Sequence, residues 1–152
     1  MNLDRLQHQI AILRRVEEQH LAFNMGSWIE REACGTVACA FGYAALDPLM
    51  QAAGLSLRVY LGGDVLGNTI HTIEEYNERL KGNTGLRCTP CFAGSMDYEA
   101  AAEFYDITKS AAAYLFDPDS YPNRSWKITP GDVIDRVQRV IKNDGACPRI
   151  TA

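Results

Sequence analysis

The run Cys34-Gly-Thr-Val-Ala-Cys39-Ala-Phe-Gly-Tyr-Ala-Ala-Leu46 constrains the fold more than any other stretch of this 152-residue chain. It joins two cysteines, two glycines and a string of alanines. Side chains this small let neighbouring elements approach closely, which a densely packed interior favours. Thr36 is a good N-cap, so the run reads as a helix from Thr36 to about Leu46. Ala38, Ala40, Gly42, Ala44 and Ala45 keep its surface thin, and Phe41 and Leu46 are its larger anchors. Only Cys34 and Cys39 pose a chemical question.

The remaining periodicities point to a mainly α fold. Leu3, Leu6, Ile10, Leu13, Val16 and His20 or Leu21 recur at steps of three and four, predicting an amphipathic helix over about 3–23. Asn24 to Ile29 breaks that period and reads as a loop, with Trp28 as a core anchor. Asp47-Pro48 interrupts the small-residue helix, and a short turn from Pro48 to Ala53 ends at Gly54. Leu55, Leu57, Val59 and Leu61 alternate as in a half-buried strand. Leu86 to Phe92 reads as a second short strand, confined to an edge by Pro90.

Further helices are marked by their caps. Thr72 and Glu75 form a capping box opening a helix that ends at Gly82. Asp97 caps an alanine-rich helix through Tyr105, and Thr108 caps another through Phe116. Thr129, Pro130 and Asp132 open the last helix, whose Val133, Ile134, Val137, Val140 and Ile141 share a face. The expectation is one compact single-domain helical protein over 1–152. It is mainly α, with a minor two-stranded β element and a flexible tail from about 145 to 152.

Composition excludes several classes. Hydrophobic residues make up 47% and charged residues 22%, which is globular rather than disordered. The net charge of −4 argues against sequence-blind nucleic-acid binding, which needs surplus Lys and Arg. The first residues lack the basic-then-apolar order of a signal peptide, and no apolar run approaches the ~20 residues of a membrane span. A cytoplasmic location follows, where the five cysteines are reduced thiols or metal ligands.

Five constellations carry possible chemistry. Cys34, Cys39, Cys88 and Cys91 supply four thiols, the number a tetrahedral zinc site requires, although only the C-x2-C half has standard spacing. Cys88-Thr-Pro-Cys91 also has a redox form but lacks the βαβ context and the following helix. Cys39 near a helix start, with His8, His20 or His71 as base, is a hydrolase outline without a complete catalytic pair. Residues 101–116 resemble a helix-turn-helix. Its second helix offers Lys109, Ser110 and Tyr114 but no arginine, and Asp106 replaces the turn glycine. The loop around Tyr121, Arg124 and Trp126 concentrates the residue types that dominate binding hot spots.

Trp28 with Cys34-Gly-Thr-x-x-Cys39-x-x-Gly42-x-Ala44 resembles a motif in small, uncharacterised proteins of bacteriophages and bacteria. Ile107-Thr-x-x-Ala-Ala-x-x-Leu-Phe-x-Pro118-x-x-Tyr121 is similar to a second segment of that group. The resemblance covers about a third of the chain and implies no reaction or cofactor. Cys88 and Cys91 fall outside it. With no complete catalytic constellation, phosphate loop or cofactor fingerprint, the expected function is protein–protein binding by a small cytosolic accessory protein. Tyr121, Arg124 and Trp126 are its contact residues, and the class includes phage-encoded modulators or inhibitors of a host protein. The alternatives are a zinc- or thiol-dependent protein using the four cysteines, and a helix-turn-helix regulator.

Overall fold

The computed structural model describes residues 1–32, 35–61, 64–81 and 86–149. Among them are seven α-helices and six strands in two sheets, so the fold is an α/β mixture. This corrects the expectation of a mainly α protein with a minor two-stranded element.

The first departure falls on the opening run. Strands β1 (Ile29–Glu32) and β2 (Gly35–Ala38) pair antiparallel, with Ile29 opposite Ala38 and Glu30 opposite Val37. Thr36 therefore belongs to a strand, and helix α2 spans only Ala40–Ala45. Its N-cap is Cys39, whose sulfur accepts the Gly42 N–H at 3.3 Å. The ladder satisfies backbone groups that an extended helix would have satisfied, and it also covers the apolar Ile29 and Val37.

The larger sheet has the order β4-β3-β5-β6 and every pairing is antiparallel. Its central strand β3 (Ser56–Leu61) is the one the alternation foretold. Strand β4 (Asp64–Ile70) pairs along one flank and β5 (Leu86–Phe92) along the other. The two-residue β6 (Ser95–Met96) pairs only with Cys91 and Phe92. Beside Pro90 the outer flank of β5 is thus open among the described pairings, where a missing amide N–H costs no ladder bond.

Helix α1 (Leu3–Glu18) stops five residues before the expected end. His20 adopts a left-handed conformation at φ 51°, and the Leu21 N–H reaches back to the Val16 carbonyl at 2.9 Å. This is the closing geometry usually given to glycine. Helices α3 (Pro48–Ala52), α4 (Ile73–Leu80), α6 (Lys109–Phe116) and α7 (Pro130–Lys142) begin at side-chain caps Asp47, Thr72, Thr108 and Thr129. Thr129 and Asp132 complete a reciprocal capping box. Helix α5 (Asp97–Tyr105) differs: Met96 is its N-cap position and Asp97 gives no side-chain cap.

Helices α1 and α7 pack together, α5 packs on α6 and against β5, and α2 sits between α1 and the sheet. Phe41, Tyr105 and Phe116 stack at the centre, with the Phe116 ring centroid 5.1 Å from Phe41 and 5.8 Å from Tyr105. Gly42 fits because the Trp28 segment crosses over it. A β-carbon there would lie 1.8 Å from the Trp28 carbonyl oxygen. At the far end, the Thr108 N–H bonds the Gly145 carbonyl at 3.1 Å and Cys147 packs against the core. Those contacts tie down the start of the expected tail; residues 150–152 lie outside the described residues.

Candidate functional site

The four-thiol zinc expectation can be followed for three of its ligands. Cys34 lies outside the described residues. Cys39 is 1% exposed at the head of α2, and burial pushes its thiol up to about 11. Cys88 stands opposite Val59 and Cys91 opposite Ser56 on the adjacent strand. Three residues apart in a strand, the two thiols face opposite sides of the sheet. Among the described residues no group of three or more His, Cys, Asp or Glu is placed to hold a metal ion. Burial also raises Cys88 to about 11 and raises Cys91, the reverse of what an activated redox thiol requires.

The histidines are engaged away from Cys39. His8 Nε2 lies 2.8 Å from Asp47 Oδ1, and Arg15 donates to Asp47 Oδ2 at 2.8 Å. Asp47 also accepts the N–H groups of Leu49 and Met50 as the α3 cap. Burial pushes its carboxyl up, but the hydrogen bonds from His8 and Arg15 outweigh that and leave it below the ordinary carboxylate range. His20 closes α1, and His71 pairs with Glu75. Cys39 instead spends its sulfur on the α2 cap.

The helix-turn-helix segment forms α5 and α6 around Asp106, which is left-handed at φ 50°. Lys109 is ion-paired with Glu99, and Tyr114 lies under the Arg136 guanidinium. Ala111, Ala112, Leu115 and Phe116 face the core. The two cationic and aromatic groups a recognition helix would offer to DNA are thus occupied within the chain.

The aromatic loop is the best-defined surface feature. Two short 3-10 turns, Pro118–Ser120 and Ser125–Lys127, shape it. Tyr121 points inward: it is buried and its hydroxyl donates to the Leu115 carbonyl at 2.7 Å. Trp126 is 60% exposed, with the Lys127 ammonium 5.0 Å from its ring centroid, and Arg124 is also exposed. The three candidate contact residues therefore divide into one anchor and two surface groups.

Arg136 of α7 holds the loop in place. Its guanidinium donates to the Tyr114 carbonyl, to Ser120 Oγ at 2.7 Å and to the Ser120 carbonyl at 2.7 Å. It also lies 3.4 Å from the Tyr121 ring centroid. A planar, multiply donating cation suits such a clamp. Sequence reasoning missed this residue, since it sits on an ordinary amphipathic helix and its partners are fifteen or more positions upstream.

Between this loop and the 24–28 segment lie two adjoining clefts. One, of about 530 Å³, is bounded by Arg124, Ser125 and Trp126 together with Asp119 and Tyr121. The other, of about 300 Å³, is walled by Trp28, Tyr98 and Phe116 with Asp97 at its rim. Gly26 and Pro118 border both, making them one continuous depression. Trp28 and Tyr98 meet edge to face, with centroids 5.2 Å apart and planes at 62°. No family model matches the chain, and no curated protein or solved structure does either.

Proposed function

We propose that the protein works by binding a protein partner across the depression between the 24–28 segment and the 117–126 loop. The observation that carries this reading is the exposed Trp126 indole, projecting from a loop fixed by the buried Tyr121 ring and the Arg136 clamp. A loop whose backbone is already anchored at Tyr121 loses less freedom on binding, so more of its contact energy appears as affinity. The aromatic walls and the flanking Arg124 are the residue types that concentrate binding energy at interfaces. Burial of Cys39 and Cys88, which disfavours their thiolate forms, favours this reading over the thiol-dependent alternative.

The resemblance of the Trp28 to Ala44 pattern to small bacteriophage and bacterial proteins suggests a narrower form of the reading. In it the chain is a phage-encoded modulator or inhibitor of a host protein, acting in the host cytoplasm. Among the described residues no helix is long and apolar enough to cross a membrane. Affinity capture from bacterial lysate, with the wild-type protein and Trp126→Ala as paired baits, tests the proposal. A partner held by the wild type should weaken by about thirtyfold toward the variant, the loss typical of a tryptophan hot spot. Identical capture by two equally folded baits would refute this surface as the contact.

A further inference from the structure

The smaller cleft has aromatic walls and an acidic rim. Its walls are the faces and edges of Trp28 and Tyr98, set at 62° like two sides of a corner, over Phe116 and Pro118. Aromatic faces attract cations through the ring quadrupole. Around them stand three carboxylates. Asp97 lines the cleft, Asp119 lines the adjoining one, and Asp117 lies at the end of α6 between them. Among the described residues none of the three forms an ion pair. Each is either free or bonded to a neutral group, as Asp97 is to the Thr89 hydroxyl at 2.6 Å and Asp117 to the Asp119 N–H at 2.9 Å.

Two details of Asp97 and Tyr98 sharpen this. Asp97 is held at φ 56°, a left-handed conformation that costs a non-glycine residue energy. Thr89 is nearly inaccessible, and its hydroxyl fixes one oxygen of the exposed Asp97 carboxylate. The Tyr98 hydroxyl has no hydrogen-bond partner among the described residues. Burial pushes it up to about 12, and the negative charges of Asp117, Asp97 and Asp119 add to that effect. The smaller cleft thus combines a negative field with a neutral phenol and two aromatic walls, and among the described residues no Lys or Arg lines it, Arg124 standing on the adjoining cleft.

We infer that this cleft receives an arginine side chain from the protein partner, stacked in the Trp28–Tyr98 corner with its guanidinium against Asp97. Arginine fits better than a bare ammonium because a planar guanidinium stacks on aromatic faces while still donating to a carboxylate. The chain's net charge of −4 favours a basic partner over long range. Trp126 and Arg124 would then contact the residues flanking that arginine. The inference rests on the protein-binding reading of the same depression and names the chemistry the partner presents.

The test is a titration of the intact protein followed by the nuclear magnetic resonance signal of the Trp28 indole N–H. Trp126→Phe identifies which of the two tryptophan signals is which. The probe is the blocked peptide acetyl-Gly-Arg-Gly-amide, compared with the same peptide carrying neutral citrulline. A saturable Trp28 shift with the arginine peptide is expected. Citrulline should bind about tenfold more weakly or less, and Asp97→Asn should weaken the arginine peptide to a similar degree. Equal affinity for both peptides overturns the inference, as does a silent Trp28 signal. The citrulline comparison needs no mutation, so a misfolded Asp97→Asn would not rescue the idea. Partner capture that depends on Trp126 while Trp28 ignores arginine refutes this inference alone. A Trp28 response without any captured partner refutes the protein-binding reading and leaves the cation site standing.

Discussion

Replacing Gly42 with alanine sets two physical effects against each other, and their sum has a definite sign. Gly42 lies inside helix α2, where alanine ordinarily gains about 1 kcal/mol over glycine. Here, however, the added β-carbon would sit 1.8 Å from the Trp28 carbonyl oxygen, 2.9 Å from its carbon and 3.2 Å from the Ala38 β-carbon. A carbon–oxygen contact relaxes at about 3.3 Å, so roughly 1.5 Å of backbone displacement is needed. No flexible side chain is available to yield, because two of the three contacts are backbone atoms. The same carbonyl accepts the Cys39 N–H at 3.3 Å, and moving it breaks that bond.

Overpacking of about 3 kcal/mol together with a lost hydrogen bond of about 1 kcal/mol outweighs the helix gain, leaving a net destabilisation of about 3 kcal/mol. Urea denaturation followed by circular dichroism reads this directly. With a slope of about 2 kcal/mol per molar urea, the midpoint should fall by about 1.5 M. Gly94→Ala is the control. Gly94 has φ +86° and no atom within 4 Å of its would-be β-carbon, so alanine there meets backbone strain alone. That strain costs about 1 kcal/mol. If Gly42→Ala proves as stable as the wild type, or no worse than Gly94→Ala, the close crossing of Trp28 over α2 is refuted.

Asp47→Asn should lower stability at pH 7 by about 1 kcal/mol, because it removes the charge from a buried cap that accepts hydrogen bonds from Arg15 and His8, of which Arg15 is half exposed. Since the folded-state value of Asp47 is lowered, its contribution is present above the ordinary carboxylate pKa of about 4 and fades as pH falls through the lower folded value. Urea midpoints of the two proteins should therefore converge in acid, and a gap that persists at pH 2 would contradict this. The Cys39 and Cys88 thiols, both pushed up to about 11 by burial, should resist iodoacetamide at pH 8 in the folded protein and react fully in urea. Mass spectrometry of the labelled chain reports this, and rapid native labelling of Cys39 would restore the case for an activated thiol.

Local chemistry was legible where one residue decides the outcome. Thr72, Thr108 and Thr129 each announce a helix start, because a short oxygen-bearing side chain satisfies an otherwise orphaned N–H in its own neighbourhood, whereas Thr36 falls in a strand and Asp97 gives no cap. The alternation of Leu57, Arg58 and Val59 announced β3 for the same reason of local periodicity. Strand β2 was hidden because Gly-Thr-Val-Ala inside a small-residue run looks helical, and its partner β1 is the charged, non-alternating Ile-Glu-Arg-Glu. Strand β4 contains Asp64, Gly67 and Asn68, all poor strand formers, and is stabilised by its neighbour β3 rather than by its own composition. At the candidate site the loop itself was legible from its aromatic and basic residues. The Trp28–Tyr98 corner joins positions seventy apart and Arg136 reaches back across the turn, so neither leaves a local signature.

The clamp on the 117–126 loop has a consequence for how the chain tolerates change. The first half of the loop is fixed, by Asp117 capping its own turn and by Tyr121 and Arg136 behind it. Pro122, Asn123 and Arg124 at the tip are exposed and take no part in those fixtures. Substitutions at the tip can therefore rewrite the recognition surface while the scaffold's melting behaviour stays constant. The loop is organised as a display element, in which specificity and stability are encoded by separate residues.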